Sequence, residues 1–263
     1  MILDDIVAKT KERVAAEKQV ISLAEMKALA KAQPITDDFP FYKALSKKGL
    51  SYILEVKKAS PSKGLIAPDF DYVTIAQNYE AIGADAISVL TEPDFFQGDI
   101  RYLKEITQNV SIPVLRKDFI IDEYMIYQAK ANGASAILLI TGILDDQTLK
   151  RYLDVAHQLG LSALVEARDE TQVKRALASG AKIIGVNNRD LRDFTVDIHN
   201  SLRYMELIPD DVVFVSESGI EKRAQTLACE EKGASAVLIG ETFMKAPDQR
   251  AMLAALKGES HEN

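Results

Sequence analysis

The chain has 263 residues, close to the size of one α/β barrel, which routinely runs to about 250 residues. It is 47% hydrophobic and 27% charged, enough apolar material for a sizeable core and not the composition of a disordered chain. A formal net charge of -7 excludes a general attraction for nucleic acid, leaving only a local basic pocket for a phosphate, and no run approaches the roughly 18 apolar residues of a membrane span.

The opening Met-Ile-Leu-Asp-Asp-Ile lacks the positive region and apolar core of a secretory signal, so the expected address is cytoplasmic. Two amphipathic segments follow, Leu3 to Val14 and Leu23 to Ala30. A barrel does not require them, so residues 1–50 are expected to form an N-terminal helical extension packed on the barrel, at one of its ends. Apolar runs rich in Ile, Val and Leu then recur near 52–56, 86–90, 112–116, 135–140, 161–165, 182–186, 212–215 and 235–239. Near-continuous hydrophobicity suits strands buried on both faces, the mark of a parallel sheet. Amphipathic segments such as Val73 to Glu80 and Gln147 to Ala156 lie between the runs. Gly83-Ala84, Gly133-Ala134, Gly180-Ala181 and Gly233-Ala234 each read as a left-handed helix stop before a strand. They recur about every two βα units, which supports a (β/α)8 TIM barrel over a doubly wound sheet, one domain spanning residues 1–263.

Cys229 is the only cysteine, which rules out an intrachain disulfide and a cysteine-based zinc site; it reads as a helix-packing residue. His157, His199 and His261 fall in helices or the tail, where they suit neither a catalytic triad nor a metal cluster. The tail from Gly258 to Asn263 has the composition of a disordered end.

Five of the runs end in functional groups: Glu55 and Lys57, Arg116 and Lys117, Glu166, Asn187, then Glu217 and Ser218. In a parallel barrel these C-terminal strand ends gather around one cavity, where active sites of this architecture lie. Taken alone, each residue has a structural reading. Lys117 can pair with Asp118, Glu166 with Arg168, and Arg189 with Asp190. Glu55 and Lys57 can form a buried pair that fixes register, Asn187 can satisfy backbone groups, and Ser218 can cap the helix containing Glu221. Phe96 and Phe119 can be core.

The segment Glu55-Val56-Lys57-Lys58-Ala59-Ser60-Pro61-Ser62-Lys63-Gly64 resembles the indole-3-glycerol phosphate synthase family. Further stretches match in order: Leu90-Thr91-Glu92, Phe96-Gln97-Gly98, Leu115 to Phe119, Val165-Glu166-Ala167, Gly185 to Leu191, Glu217 to Ile220 and Leu238-Ile239-Gly240. The resemblance covers nearly the whole chain. It implies a barrel that converts 1-(2-carboxyphenylamino)-1-deoxyribulose 5-phosphate into indole-3-glycerol phosphate, carbon dioxide and water, with no cofactor and no metal. The implied partner is a small phosphosugar substrate, with other tryptophan-pathway enzymes as further candidates.

On that resemblance Lys117 is the general acid of ring closure, and Lys57 binds the substrate carboxylate and donates a proton in dehydration. Glu55 supports Lys57 from the same strand face. Glu166 accepts a proton or stabilises an iminium-like intermediate, with Asn187 holding Glu166 or a substrate hydroxyl. Glu217 and Ser218 contact substrate, Arg189 binds an anionic group, and Phe96 and Phe119 flank the anthranilate ring. Ser60, in a long Lys58 to Pro68 loop able to close over the site, gives a hydroxyl to the phosphate, joined by backbone amides at Gly219, Gly240 and Glu241. The Glu241 side chain is expected to point away. Two other readings share this frame: a different phosphosugar barrel such as phosphoribosylanthranilate isomerase, and a catalytically silent phosphosugar-binding barrel.

Overall fold

A computed structural model describes residues 2–190 and 194–259; Leu191, His261 and the end of the tail, 260–263, lie outside the described residues. Eight strands form the sheet: β1 (Ser51–Val56), β2 (Ala86–Leu90), β3 (Val114–Lys117), β4 (Ala136–Ile140), β5 (Ser162–Ala167), β6 (Ile183–Asn187), β7 (Val213–Glu217) and β8 (Ala236–Ile239). Each pairs in parallel with its neighbours in sequence, and β1 pairs with both β2 and β8, closing the barrel. The run near 112 enters the ladder only at Val114, because Pro113 has no N–H to contribute.

The helices between strands include α4 (Tyr72–Ala81), α5 (Pro93–Phe96), α6 (Ile100–Thr107), α7 (Glu123–Ala131), α8 (Asp146–Gln158), α9 (Glu170–Ala178) and α10 (His199–Leu202). After β7 come α11 (Arg223–Lys232), α12 (Glu241–Lys245) and α13 (Gln249–Lys257). The four Gly-Ala steps read as helix stops all place their glycine in the left-handed region, at φ between 85° and 94°. His157 and His199 lie in α8 and α10, and Cys229 is buried in α11.

Alternation along the strands sorts the core into two layers. Tyr52, Leu54, Val56, Ile87, Val89, Leu139, Val165, Ile184 and Val237 point outward against the helices. Ile53, Leu115, Leu138, Ile140, Leu164, Val215 and Leu238 fill the barrel interior. Continuing each inner row by two residues therefore predicts which groups top the barrel: Glu55 above Ile53, Lys117 above Leu115, Glu166 above Leu164 and Glu217 above Val215.

The N-terminal segment contributes helices α1 (Ile2–Val20), α2 (Leu23–Lys31) and α3 (Pro40–Leu45), and it covers both ends of the barrel. Helix α1 lies over the C-terminal mouth, where Ile2 and Ile6 line the cavity. Helix α3 closes the other end: Tyr42 N donates to Ser162 Oγ at 3.3 Å and Ser51 Oγ to Ala44 O at 3.0 Å, both at strand starts, with Phe41 and Leu45 buried beneath the interior.

Candidate active site

The charged tops of the inner rows converge. Lys117 Nζ stands 2.7 Å from Glu217 Oε2 and 3.9 Å from both Glu55 Oε2 and Glu166 Oε2, so one ammonium faces carboxylates from three other strands. Lys57 Nζ lies 2.9 Å from Glu55 Oε1. Ser88, directly across from Glu55 in the β1–β2 ladder, donates to Glu55 Oε2 at 3.4 Å. Burial favours the neutral amine at Lys117, but Glu217, Glu55 and Glu166 outweigh it and raise its pKa above the ordinary lysine value. Burial alone would push the Glu55 carboxyl up; Lys57 and Lys117 more than reverse that and hold it below the usual range. Glu166 goes the other way. Burial first, and then the Glu217 charge, push it up to about 7 against Lys117 and a hydrogen bond with Asn187.

One cavity joins Glu55, Lys57, Lys117 and Glu166 to Ser60, Phe96, Phe119, Asn187, Arg189, Ser218 and Glu241, over a floor of Leu90, Leu138 and Ile140; Glu217, expected to contact substrate, is fully buried and lies behind that lining, because its carboxyl is turned onto Lys117. Phe96 and Phe119 face each other with ring centroids 6.0 Å apart at 34°. Phe96 ends the short helix α5, whose N-cap Glu92 accepts from three successive backbone amides, Asp94, Phe95 and Phe96. Asn187 Oδ1 accepts from Arg189 N at 2.9 Å, so this side chain orients both the Arg189 loop and Glu166. Ser60 lies in a two-residue antiparallel pairing, Ala59–Ser60 with Gly64–Leu65, which gives the Lys58 to Pro68 loop a small hairpin, with Ser60 Oγ 3.4 Å from Ser62 Oγ. At the end of β7, Ser218 adopts φ 70° and Gly219 φ 77°. A left-handed serine is uncommon, and the turn is fixed by Asn188 Nδ2 donating to Ser218 O at 3.0 Å.

Several structural readings of single residues give way here. Asp118 pairs with Arg116 and Arg13 instead of Lys117. Arg168 pairs with Asp169 and Asp190, leaving Glu166 to the cavity. Ser218 caps no helix: α11 starts only at Arg223, after Glu221, and Gln225 accepts from Glu221 N and Lys222 N. The Glu241 side chain does not point away. It lies on the cavity wall 2.7 Å from Lys245 Nζ and 3.6 Å from both Lys63 Nζ and Arg189 Nη2. Burial would raise its carboxyl, and these cations lower it instead. Sequence reasoning passed over Ser88, a mid-strand residue with no charge to mark it, and Lys63 and Phe194, loop residues whose reach depends on the fold. It also passed over Ile2 and Ile6, which look like ordinary helix apolar positions. Among the described residues no group of three or more His, Cys, Asp or Glu side chains is arranged to hold a metal ion.

Two ammonium groups and three carboxylates, buried at the C-terminal mouth of a closed parallel barrel and flanked by an apolar ring slot, define a (β/α)8-barrel acid–base enzyme. Residues 3–256 match the family model described as indole-3-glycerol phosphate synthase. The chain is 54% identical over 260 residues to the indole-3-glycerol phosphate synthase of Ruminiclostridium cellulolyticum, covering 99% of this chain and 100% of the relative. Identity to the indole-3-glycerol phosphate synthase of Lacticaseibacillus paracasei is 53% over 257 residues, covering 98% and 99%. The chain belongs to the indole-3-glycerol phosphate synthase family. A crystal structure of 3-hexulose-6-phosphate synthase shares the fold, with a TM-score of 0.65 at 17% identity over 80% of this chain and 99% of that one.

Proposed function

We propose that the cavity closes the indole ring of 1-(2-carboxyphenylamino)-1-deoxyribulose 5-phosphate, releasing carbon dioxide and water to leave indole-3-glycerol phosphate. The observation that carries the division of labour is the placing of Lys117 among Glu55, Glu166 and Glu217, with Lys57 beside Glu55. The ring carbon bearing the carboxylate attacks the ketone carbon, and charge grows on the ketone oxygen. Lys117, kept protonated by three carboxylates, gives its proton to that oxygen, which is more basic than an amine once it becomes an alkoxide. Lys57 pairs with the substrate carboxylate until carbon dioxide leaves and its bonding electrons return to the ring system. The apolar slot of Phe96, Phe119, Leu138 and Ile140 holds the ring and keeps water from the leaving group.

Dehydration then breaks the carbon–oxygen bond of the new hydroxyl. Lys57 supplies the proton with which water departs, the nitrogen lone pair forms an iminium, and Glu166 removes the proton whose loss makes the ring aromatic. Glu55 fixes Lys57, Asn187 orients Glu166, Ser218 contacts the substrate, and Glu217, fully buried behind the cavity wall, acts by anchoring Lys117. The phosphate rests on the Ser60 hydroxyl and on backbone amides at Gly219, Gly240 and Glu241, where loops after the last two strands commonly cradle one. Arg189 exchanges its Glu241 contact for a substrate anion. No step changes the overall oxidation level, and the substrate's own ring and nitrogen take up the electrons released with carbon dioxide, so the reaction calls for neither a redox partner nor an external electron sink. Residues 1–263 act as one unit in the cytoplasm, with 1–50 as the extension; no described helix is long and apolar enough to cross a membrane.

The test is to incubate purified protein with the carboxyphenylamino deoxyribulose phosphate, without added metal or cofactor, and to follow indole fluorescence and product mass. The expected product is lighter by one carbon dioxide and one water. Tight binding with no product supports a silent binding barrel instead.

A further inference from the structure

Gly185 lies inside β6, paired with Glu166 of β5 on one side and Val215 of β7 on the other. It is absent from the residues with positive φ, so its backbone does not call for glycine. Space does. A Cβ there would collide with Glu217 Oε1 and lie 3.1 Å from both Glu217 Cδ and Leu164 Cδ1. The missing side chain is therefore the gap through which the Glu217 carboxyl group, rooted on β7, leans across β6 towards Glu166 and Lys117.

Glu217 is fully buried; its Oε2 is taken by Lys117, and its Oε1 has no hydrogen-bond partner. Lys117 from β3 faces both Glu217 and Glu166, and Asn187 from β6 hydrogen-bonds Glu166; Glu55 and Lys57 from β1 stand beyond Lys117, paired with each other. Among these groups three carboxylates meet two ammonium groups, leaving one net negative charge that a single added proton removes, while Arg189 and Lys63 on the cavity wall are engaged with Glu241. Two carboxylates offer only acceptors to each other, whereas a proton on one makes it a donor to the other. The geometry points to Gly185 as a positioning residue that opens a window in β6, through which Glu217 and Glu166 form an acid pair holding one proton in the free enzyme. This rests on the role proposed above for Glu166. The upward push on the Glu166 carboxyl, to about 7, agrees with it. Before Glu166 can take the ring proton the pair must release the one it holds, so turnover rises as pH passes through the ionisation of the pair.

Carbon-13 NMR of side-chain-labelled glutamate, titrated on the substrate-free protein, reads the pair directly. Wild type is expected to show a glutamate carboxyl titrating near pH 7. Gly185→Ala should move that midpoint down by a pH unit or more and lower kcat by about 10²-fold, with a smaller change in KM. The double variant Gly185→Ala with Glu217→Asp, which shortens the acid by one methylene, should recover much of both. A stable Gly185→Ala protein with an unchanged midpoint overturns the proposal, as does a double variant no better than the single one. Should Gly185→Ala fail to fold, Glu217→Gln decides: a lowered Glu166 midpoint supports the pair, and an unchanged one rejects it. An intact titration in a protein that makes no product would count against the proposed reaction and leave the pair standing.

Discussion

Arg116, Lys117 and Asp118 are neighbours in sequence and belong to two opposite kinds of charged cluster. Alternation turns Arg116 and Asp118 out of the barrel and Lys117 into it. Outside, every Asp118 oxygen is used: Oδ1 accepts from Arg13 Nη2 and Phe119 N, both at 2.8 Å, and Oδ2 from Thr91 Oγ1 at 2.6 Å and Arg116 Nη2 at 3.1 Å. Inside, Lys117 is surrounded by more acid than it can pair, and one oxygen of Glu217 has no partner. A buried carboxylate with every oxygen taken fixes the ends of β2 and β3 and ties α1 over the mouth, although Arg13 Nε in the same network has no partner. An unsaturated one is left with interactions to offer a substrate.

The largest expected contrast comes from truncating each side. Lys117→Ala should lower single-turnover ring closure by about 10³- to 10⁴-fold with little change in the unfolding midpoint, measured by indole fluorescence beside thermal melts. Asp118→Asn should do the reverse. Leaving Arg116 buried without its carboxylate should cost about 3–5 kcal/mol in denaturant titrations, while kcat of the folded fraction changes far less. A Lys117→Ala protein that melts early, or an Asp118→Asn protein of normal stability and low kcat, would erase the distinction.

The two clusters also respond to pH with opposite sign. Burial raises and the two arginines lower the Asp118 carboxyl, with a net fall, so its stabilisation is present above the unfolded value near 3.8 and is lost as acid titrates the folded form. The Glu166 carboxyl is raised to about 7, so its contribution is complete below the unfolded value near 4.5 and fades as pH rises through 7. Wild type minus Glu166→Gln stability should therefore decline between about pH 4.5 and pH 7 and level off above, a span worth up to roughly 3 kcal/mol at 1.36 kcal/mol per pKa unit. Melts across that range check it, and kcat of wild type should rise through the same ionisation. The smallest effect belongs to the cavity rim: Glu241→Gln removes a competing anion from Lys63 and Arg189, and inorganic phosphate should inhibit the variant a few-fold more strongly.

Much of this is legible in the sequence. Strands buried on both faces announce themselves as apolar runs, and counting by two along each run brings Glu55, Lys117, Glu166 and Glu217 to the same rim. What the chain order hides is contact across strands. That Glu217 serves Lys117 depends on a gap at Gly185, an arrangement no one-dimensional pattern records. That Asp118 is claimed by Arg13 depends on α1 folding back over 105 residues. Asp118 is adjacent to Lys117 in sequence, yet side-chain direction keeps the two apart. Glu241 lies on the cavity wall, against the sequence expectation, because Lys63 and Arg189, which hold it there, come from loops that meet only in the closed barrel.

The most direct test is a crystal structure of the inactive Lys117→Ala variant with intact carboxyphenylamino deoxyribulose phosphate bound. The expected electron density has the ketone oxygen beside the space left by the lysine amine, the substrate carboxylate near Lys57, the ring packed against Phe96 and Phe119, and the phosphate on Gly219 and Gly240. Substrate bound with its ketone remote from position 117, or with its phosphate away from the last two strand ends, would contradict the account.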